Sequence, residues 1–234
     1  MTYVMSDIHG DYERYIKMLG VIGFSGNDTL YIIGDICDRG EESERIYLDA
    51  MSKSNVICIK GNHEFMAESV LPYLLELAPM PNRRIYDANY ITWLRNGAQQ
   101  TINSLYRCHE KIQRKIVDFI CEMPFYKTVS VGERHFTLVH AGLNNFSPEK
   151  SLDSYIPYDL VWARPNYDEK LWDDPNKLLI VGHTPTMYVT HNPAERIYFG
   201  KGGSIVNIDC GNSYRNYGGC LGCLCLDTMQ EFYL

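Results

Sequence analysis

Seven consecutive positions, Gly34-Asp35-Ile36-Cys37-Asp38-Arg39-Gly40, set two carboxylates and a guanidinium between two glycines. Carboxylates at a strand end suit hard or borderline cations, and a neighbouring arginine suits a phosphate held bidentately. Similar polar clusters recur along the chain. Asp7 and His9 stand two apart, which on extended backbone puts both on one side, and a carboxylate beside an imidazole is half of a metal site. Asn62 and His63 follow in Lys60-Gly61-Asn62-His63-Glu64, His140 in His140-Ala141-Gly142, and His183 in Gly182-His183-Thr184-Pro185. With His63 set aside, the clusters supply two Asp, one Asn and three His. That set fills two cation sites of mixed oxygen and nitrogen donors if Asp35 bridges them.

Each cluster follows an apolar run of strand type, so the elements that position it can be read backwards from it. Residues 2–5 lead into Asp7, 30–33 into Asp35 and 55–59 into Asn62. Helical patterns over 12–23 and 41–53 separate them, with apolar residues near helical spacing and acids at the start of the second. Three strand–loop–helix units in succession predict parallel strands with crossover helices. Their polar clusters then fall at the carboxyl ends of the strands, the edge where such sheets bind ligands.

From about 65 to 123 the pattern is mainly helical, a predicted insertion beside the sheet that walls the site. Trp93 and Tyr106 read there as core or rim residues, and Asn96-Gly97 as a turn lining the pocket. Runs at 125–131 and 135–139 predict a hairpin ending in His140, and 178–181 a strand ending in His183. The loop-rich stretch 144–176 carries Val161-Trp162-Ala163-Arg164-Pro165. Strands are expected over 187–190, 196–199, 204–208 and 220–226. Helices in the middle and antiparallel strands late suggest two sheets packed face to face.

The eight cysteines are read as reduced thiols, with Cys58, Cys121, Cys210 and Cys225 as small core residues. Cys220, Cys223 and Cys225 have a zinc-like spacing, but strand alternation puts Cys220 on the face opposite the other two, and no fourth ligand is near in sequence. His109, His135 and His191 lie outside every cluster. A net charge of −7 argues against a general nucleic-acid or membrane-surface binder. No apolar stretch is long enough to span a bilayer, and the N-terminus lacks the features of a signal peptide. A cytoplasmic protein is expected, one domain over 1–234 with the helical insertion at about 65–123; the oligomeric state stays open.

Taken in order, Ser-Asp-Ile-His-Gly, Gly-Asp-Ile-Cys-Asp-Arg-Gly, Lys-Gly-Asn-His-Glu, His-Ala-Gly and Gly-His-Thr-Pro resemble the signature of the phosphoprotein phosphatase family of metallophosphoesterases. The likeness runs to Asn207-Ile208-Asp209-Cys210-Gly211. The last two motifs look like the bacterial and phage branch, which includes phage-type serine/threonine protein phosphatases and symmetrical dinucleoside tetraphosphatases. Ser6 stands where the family usually has Gly, and Cys37 where Val is common; neither supplies a ligand.

The resemblance implies a mixed α/β fold, the calcineurin-like αββα sandwich of two sheets flanked by helices. It implies two divalent cations, Mn²⁺ by preference with Fe or Zn also fitting the donor set. Asp7 and His9 would bind the first, Asp35 would bridge, and Asn62, His140 and His183 would bind the second. A hydroxide activated by the cation pair would attack phosphorus in line. Arg39, with Arg164 from the looser Trp-x-Arg match, would hold phosphate oxygens. His63 would act as general acid, oriented by Asp38, and Glu64 would be structural. The implied substrate is a phosphorylated protein, at phosphoserine or phosphothreonine, or a small phosphoester. The alternatives are a dinucleoside tetraphosphatase cutting diadenosine tetraphosphate to two ADP, and a non-catalytic scaffold that keeps only the fold.

Overall fold

A computed structural model describes residues 1–192 and 196–234. Strands β1 (Thr2–Met5), β2 (Thr29–Ile33) and β3 (Val56–Ile59) alternate with helices α1 (Tyr12–Val21) and α2 (Ser43–Met51). Helix α1 begins where the Asp11 side chain accepts the Arg14 amide at 3.2 Å, satisfying one donor that the helix itself leaves open. The three strands are parallel, with Tyr3 opposite Leu30 and Leu30 opposite Val56.

Five helices follow: α3 (Asn62–Glu68), α4 (Leu71–Leu74), α5 (Arg83–Arg95), α6 (Gln99–Tyr106) and α7 (Glu110–Glu122). Helices α5 and α6 are separated by a break at Asn96–Ala98. There Gly97 adopts φ +100°, which only glycine takes without strain. His109 caps α7, its Nδ1 accepting the Lys111 amide at 3.2 Å.

The hairpin β4 (Tyr126–Val131) and β5 (Arg134–Val139) opens the second half. It is followed by α8 (Pro157–Val161), β6 (Lys177–Val181), α9 (Thr186–Thr190), β7 (Tyr198–Phe199), β8 (Ile205–Asn207), β9 (Gly222–Cys225) and β10 (Glu231–Tyr233). One sheet has the order β10-β9-β1-β2-β3, the other β4-β5-β6-β8-β7. Both are mixed: β9 joins β1 antiparallel, whereas β6 and β8 run parallel to β5, which corrects the expectation of uniformly antiparallel late strands.

Strand alternation divides the core into layers. Val4, Ile33 and Leu224 from the first sheet meet Phe136, Leu138, Ile180 and Val206 from the second in the central layer. Tyr3, Met5, Leu30 and Ile32 face the other way, onto Tyr15, Met18, Ile46, Trp93 and Ile120 of the helices. Val139, Leu179 and Val181 pack under Leu160, Val161, Tyr155 and Leu171 of α8 and its loops. This is the expected sandwich, with a thin outer layer on the second sheet. Among the described residues no helix is long and apolar enough to cross a membrane.

Two local expectations fail. Residues 187–190 end in an aromatic and two β-branched side chains in strand fashion, yet 186–190 form α9. Pro185 directly precedes the helix, Asp209 O takes the Thr186 amide at 2.8 Å, and the Thr190 hydroxyl donates to Thr186 O, so tertiary context overrides propensity. Cys121 is exposed on α7, not core, while Cys58, Cys210 and Cys225 are buried. Cys223 and Cys225 share the helix-facing core and Cys220 the inter-sheet core, as alternation requires.

Candidate active site and metal centre

The carboxyl ends of β1, β2 and β3 meet those of β5 and β6, so the five clusters of both sheets converge. Ligand-type atoms of His9, Asp35 and His63 lie within 4.8 Å of one another, as do those of Asp35, His140 and His183. Asp35 belongs to both groups. Its Oδ1 is 3.3 Å from His140 Nε2, and its Oδ2 is 3.7 Å from His9 Nε2 and 3.6 Å from His63 Nε2. Asp7, just beyond β1 of the first sheet, reaches the second, its Oδ2 accepting the His183 amide at 3.1 Å. A Cβ built on Gly34 would lie 2.6 Å from His140 Nδ1 and from the Gly61 backbone; only glycine lets these strand ends approach so closely.

The loops that carry the site are bent, not extended. Asp7, His9, Asp35, Asp38, Arg39 and His183 have φ between +51° and +70°. The expectation that Asp7 and His9 share a face through extended backbone is therefore corrected: left-handed turns after β1 aim them. Such conformers cost of order 1 kcal/mol or more each and persist where surrounding contacts over-determine them. Glu64 supplies such contacts. It is fully buried; Oε2 accepts the amides of Asp35 (2.8 Å) and Gly61 (2.9 Å), and Oε1 those of Ile36 (2.9 Å) and Cys37 (3.3 Å) plus the Tyr47 hydroxyl (2.9 Å).

The donor set fits cations on its own chemistry. His140 gives its Nδ1 proton to Ile33 O at 2.9 Å, so Nε2 turns a lone pair toward Asn62 Oδ1 at 2.9 Å. His9 likewise gives its Nδ1 proton to Cys37 O at 2.9 Å, leaving the Nε2 lone pair facing Asp35. His183 Nδ1 stands 2.8 Å from the same Asn62 oxygen, and its buried Nε2 has no hydrogen-bond partner among the described residues. Lone pairs facing one another in a dry site are unfavourable unless a positive charge lies between them.

Electrostatics agree. Burial, with the charges of Arg39 and His63, holds His9 well below the usual imidazole range. Burial, with His140, lowers His183 to about 3, so both rings are neutral with lone pairs available. Burial raises Asp7 to about 6, with Asp35 adding to the shift and His140 opposing it. Burial also works to raise Asp35, but the imidazoles of His140, His63 and His9 outweigh it and hold that carboxyl below the usual range. For His63, burial alone would favour the neutral ring; Asp35 and Asp38 outweigh it and raise the imidazole. Cys37 is buried and its thiol is pushed far up, as suits a small apolar filler.

His63 Nδ1 is 2.6 Å from Asp38 Oδ2, and Arg39 Nη2 is 3.3 Å from His63 Nε2. Above them opens a cavity of about 290 Å³ lined by Asp35, Asn62, His63, Arg39, Arg164 and the Asn96 turn, with Trp162, Tyr188 and Tyr214 at its wall. Arg39 donates to the Ser213 hydroxyl and Arg164 to that of Thr184, each at 2.8 Å. All ten sequence-derived site residues are thus in or beside one centre. His109, His135 and His191 lie elsewhere, on exposed or capping positions. Tyr188, on α9, and Ser213 and Tyr214, in a 3-10 helix over Asn212–Tyr217, were not legible in advance, because tertiary packing brings them to the cavity from far along the chain.

A calcineurin-like phosphoesterase family model matches residues 2–208. The symmetrical bis(5'-nucleosyl)-tetraphosphatase of Haemophilus ducreyi is 33% identical over 178 residues, 73% of this chain and 56% of that protein. The chain spans between about a quarter and a little over half of the curated relatives it matches. Among solved structures, one proposed to be a diadenosine tetraphosphatase superposes with a TM-score of 0.64 at 15% identity, covering 100% of this chain and 92% of the other. A protein serine/threonine phosphatase from Saccharomyces cerevisiae gives 0.63 at 15% identity, covering 95% and 71%. At such identity these two likenesses concern the fold alone.

Proposed function

The chain belongs to the calcineurin-like phosphoesterase family, and from that premise we propose that it hydrolyses phosphomonoesters, with phosphoserine and phosphothreonine of proteins as its substrate class. Asp7, His9 and Asp35 would hold one divalent cation, and Asp35, Asn62, His140 and His183 the other. The nitrogen and oxygen donors suit Mn²⁺, and equally Fe or Zn. When bound, such a pair supplies a water of lowered pKa as nucleophile. Arg39 and Arg164, exposed at the cavity mouth, orient the phosphate and offset charge gained in the transition state. His63 gives its Nε2 proton to the departing oxygen, and Asp38 keeps the Nδ1 proton in place.

The observation that carries this reading is the buried Asp38–His63 pair opening on the cavity. An alkoxide leaving from serine or threonine needs a proton in the transition state; a nucleotide phosphate leaves as a stable anion and needs none. A scaffold that only binds would need neither the pair nor the facing lone pairs of His140 and Asn62.

A second reading has its own support. The Haemophilus ducreyi relative is named a symmetrical bis(5'-nucleosyl)-tetraphosphatase. An apolar pocket of about 490 Å³ lined by Phe65, Met66, Thr92, Tyr158 and Trp162 adjoins the cavity through Trp162, with room for a base. The two are separated by a paired assay of the Mn²⁺-loaded protein on a phosphothreonine peptide and on diadenosine tetraphosphate. Faster phosphate release from the peptide supports the first; cleavage of the dinucleotide to two ADP, with the peptide untouched, overturns it in favour of the second.

A further inference from the structure

We infer that Trp93 and Thr101, outside every strand-end motif, are positioning residues that fix the Asp38–His63 pair for proton donation. This rests on the reading of His63 as general acid. Asp38 is fully buried in a left-handed turn at φ +70°, and both its oxygens are engaged from the helical insertion. Oδ2 accepts Trp93 Nε1–H at 2.7 Å alongside His63 Nδ1 at 2.6 Å, and Oδ1 accepts the Thr101 hydroxyl at 2.7 Å. The Thr101 oxygen in turn accepts the Asp38 amide at 2.8 Å. That leaves the hydroxyl proton no choice of direction.

A carboxylate with both oxygens taken by donors cannot turn to exchange them. It has only acceptor capacity left for His63, so the imidazole must keep its proton on Nδ1 and present Nε2 to the substrate. As the P–O bond breaks, the leaving oxygen takes the Nε2 proton together with the bond's electron pair. The ring ends neutral, still protonated on Nδ1.

The insertion reaches this carboxylate through residues four apart. Trp93 lies on α5, Gly97 in the turn and Thr101 on α6, and the Gly97 carbonyl accepts the Arg39 amide at 3.0 Å. Packing alone would require only that a buried tryptophan and threonine find some partner. Here both choose the one carboxylate that orients His63.

The test compares Mn²⁺-loaded wild type, W93F, T101V, T101S and H63N on phenyl phosphate, a poor leaving group, and 4-nitrophenyl phosphate, a good one. W93F and T101V should lower kcat on phenyl phosphate on the order of tenfold, leave KM unchanged and spare 4-nitrophenyl phosphate. T101S, which keeps the hydroxyl, should recover wild-type rates. H63N should show the same discrimination more strongly. If H63N slows both substrates equally, the acid reading itself is lost. If H63N discriminates while W93F and T101V slow both substrates alike or neither, the acid stands and the positioning role is overturned. T101V is isosteric with the native residue, so it decides the matter should W93F fail to fold by thermal melting.

Discussion

Glu64 accepts the backbone amide of Asp35 at 2.8 Å, and the same carboxylate takes three more amides and the Tyr47 hydroxyl. The residue that shapes the Asp35 loop is itself fully buried and lies outside the lining of the cavity. In Glu64→Gln one acceptor oxygen becomes an NH₂ facing buried donors, which costs about 1–3 kcal/mol for each group left unpaired. The variant should melt several degrees lower and bind Mn²⁺ at least about tenfold more weakly. Wild-type melting and metal titration together would show that the loop holds its shape without this brace.

Asp35 is the one carboxylate shared by both donor groups. Asp35→Asn removes its charge and one coordinating oxygen while nearly keeping its volume. Both cations should then be lost to dialysis and turnover should fall at least about a hundredfold. Elemental analysis finding two bound metals with near-wild-type rates would sink the bridging assignment.

The strand-end clusters could be read in the sequence because a strand's carboxyl end is a local feature. An apolar run, a glycine and a polar residue declare it within seven positions, as around Asp35. The supports around those residues were not readable. Asp38 meets Thr101 63 positions away, and Arg39 meets Ser213 174 positions away; spacing says nothing about such pairs. The Asp7/His9 reading reached the right neighbourhood by the wrong backbone, because φ above +50° at both residues goes with amide bonds from Asp7 to Gly34 O and from His9 to Asp35 O that no local pattern encodes. Residues 187–190 failed for a related reason. Their β-branched side chains fit a strand, but Pro185 and the contact of the Thr186 amide with Asp209 O decide otherwise.

Metal binding should be strongly pH-dependent around Asp7, whose carboxyl burial raises from 3.8 to about 6. The shift is upward, so between these values the folded metal-free protein binds a proton that the unfolded chain does not. Stability from this group is thus greatest at low pH and is lost as pH rises through about 6. A cation binds the ionised form and removes that penalty. The rise in melting temperature on adding Mn²⁺ should be clearly larger at pH 7.5 than at pH 5. Equal rises at the two values would mean that Asp7 takes no part in binding.

Gly97 ties the insertion to the phosphate clamp by a margin too narrow for any side chain. Its φ is +100°, and a Cβ there would stand 2.9 Å from Arg39 Cγ, while its carbonyl holds the Arg39 amide at 3.0 Å. Gly97→Ala must therefore strain the turn, at about 1–2 kcal/mol, and push Arg39 off its line to the cavity. Arg39 meets phosphate oxygens whatever the leaving group, so its displacement should weaken competitive inhibition by inorganic phosphate about threefold or more. The rate ratio between phenyl and 4-nitrophenyl phosphate should stay unchanged, since Asp38 and His63 keep their contacts. A changed ratio would place the effect of Gly97 on the acid, and unchanged phosphate inhibition would separate Arg39 from the turn altogether.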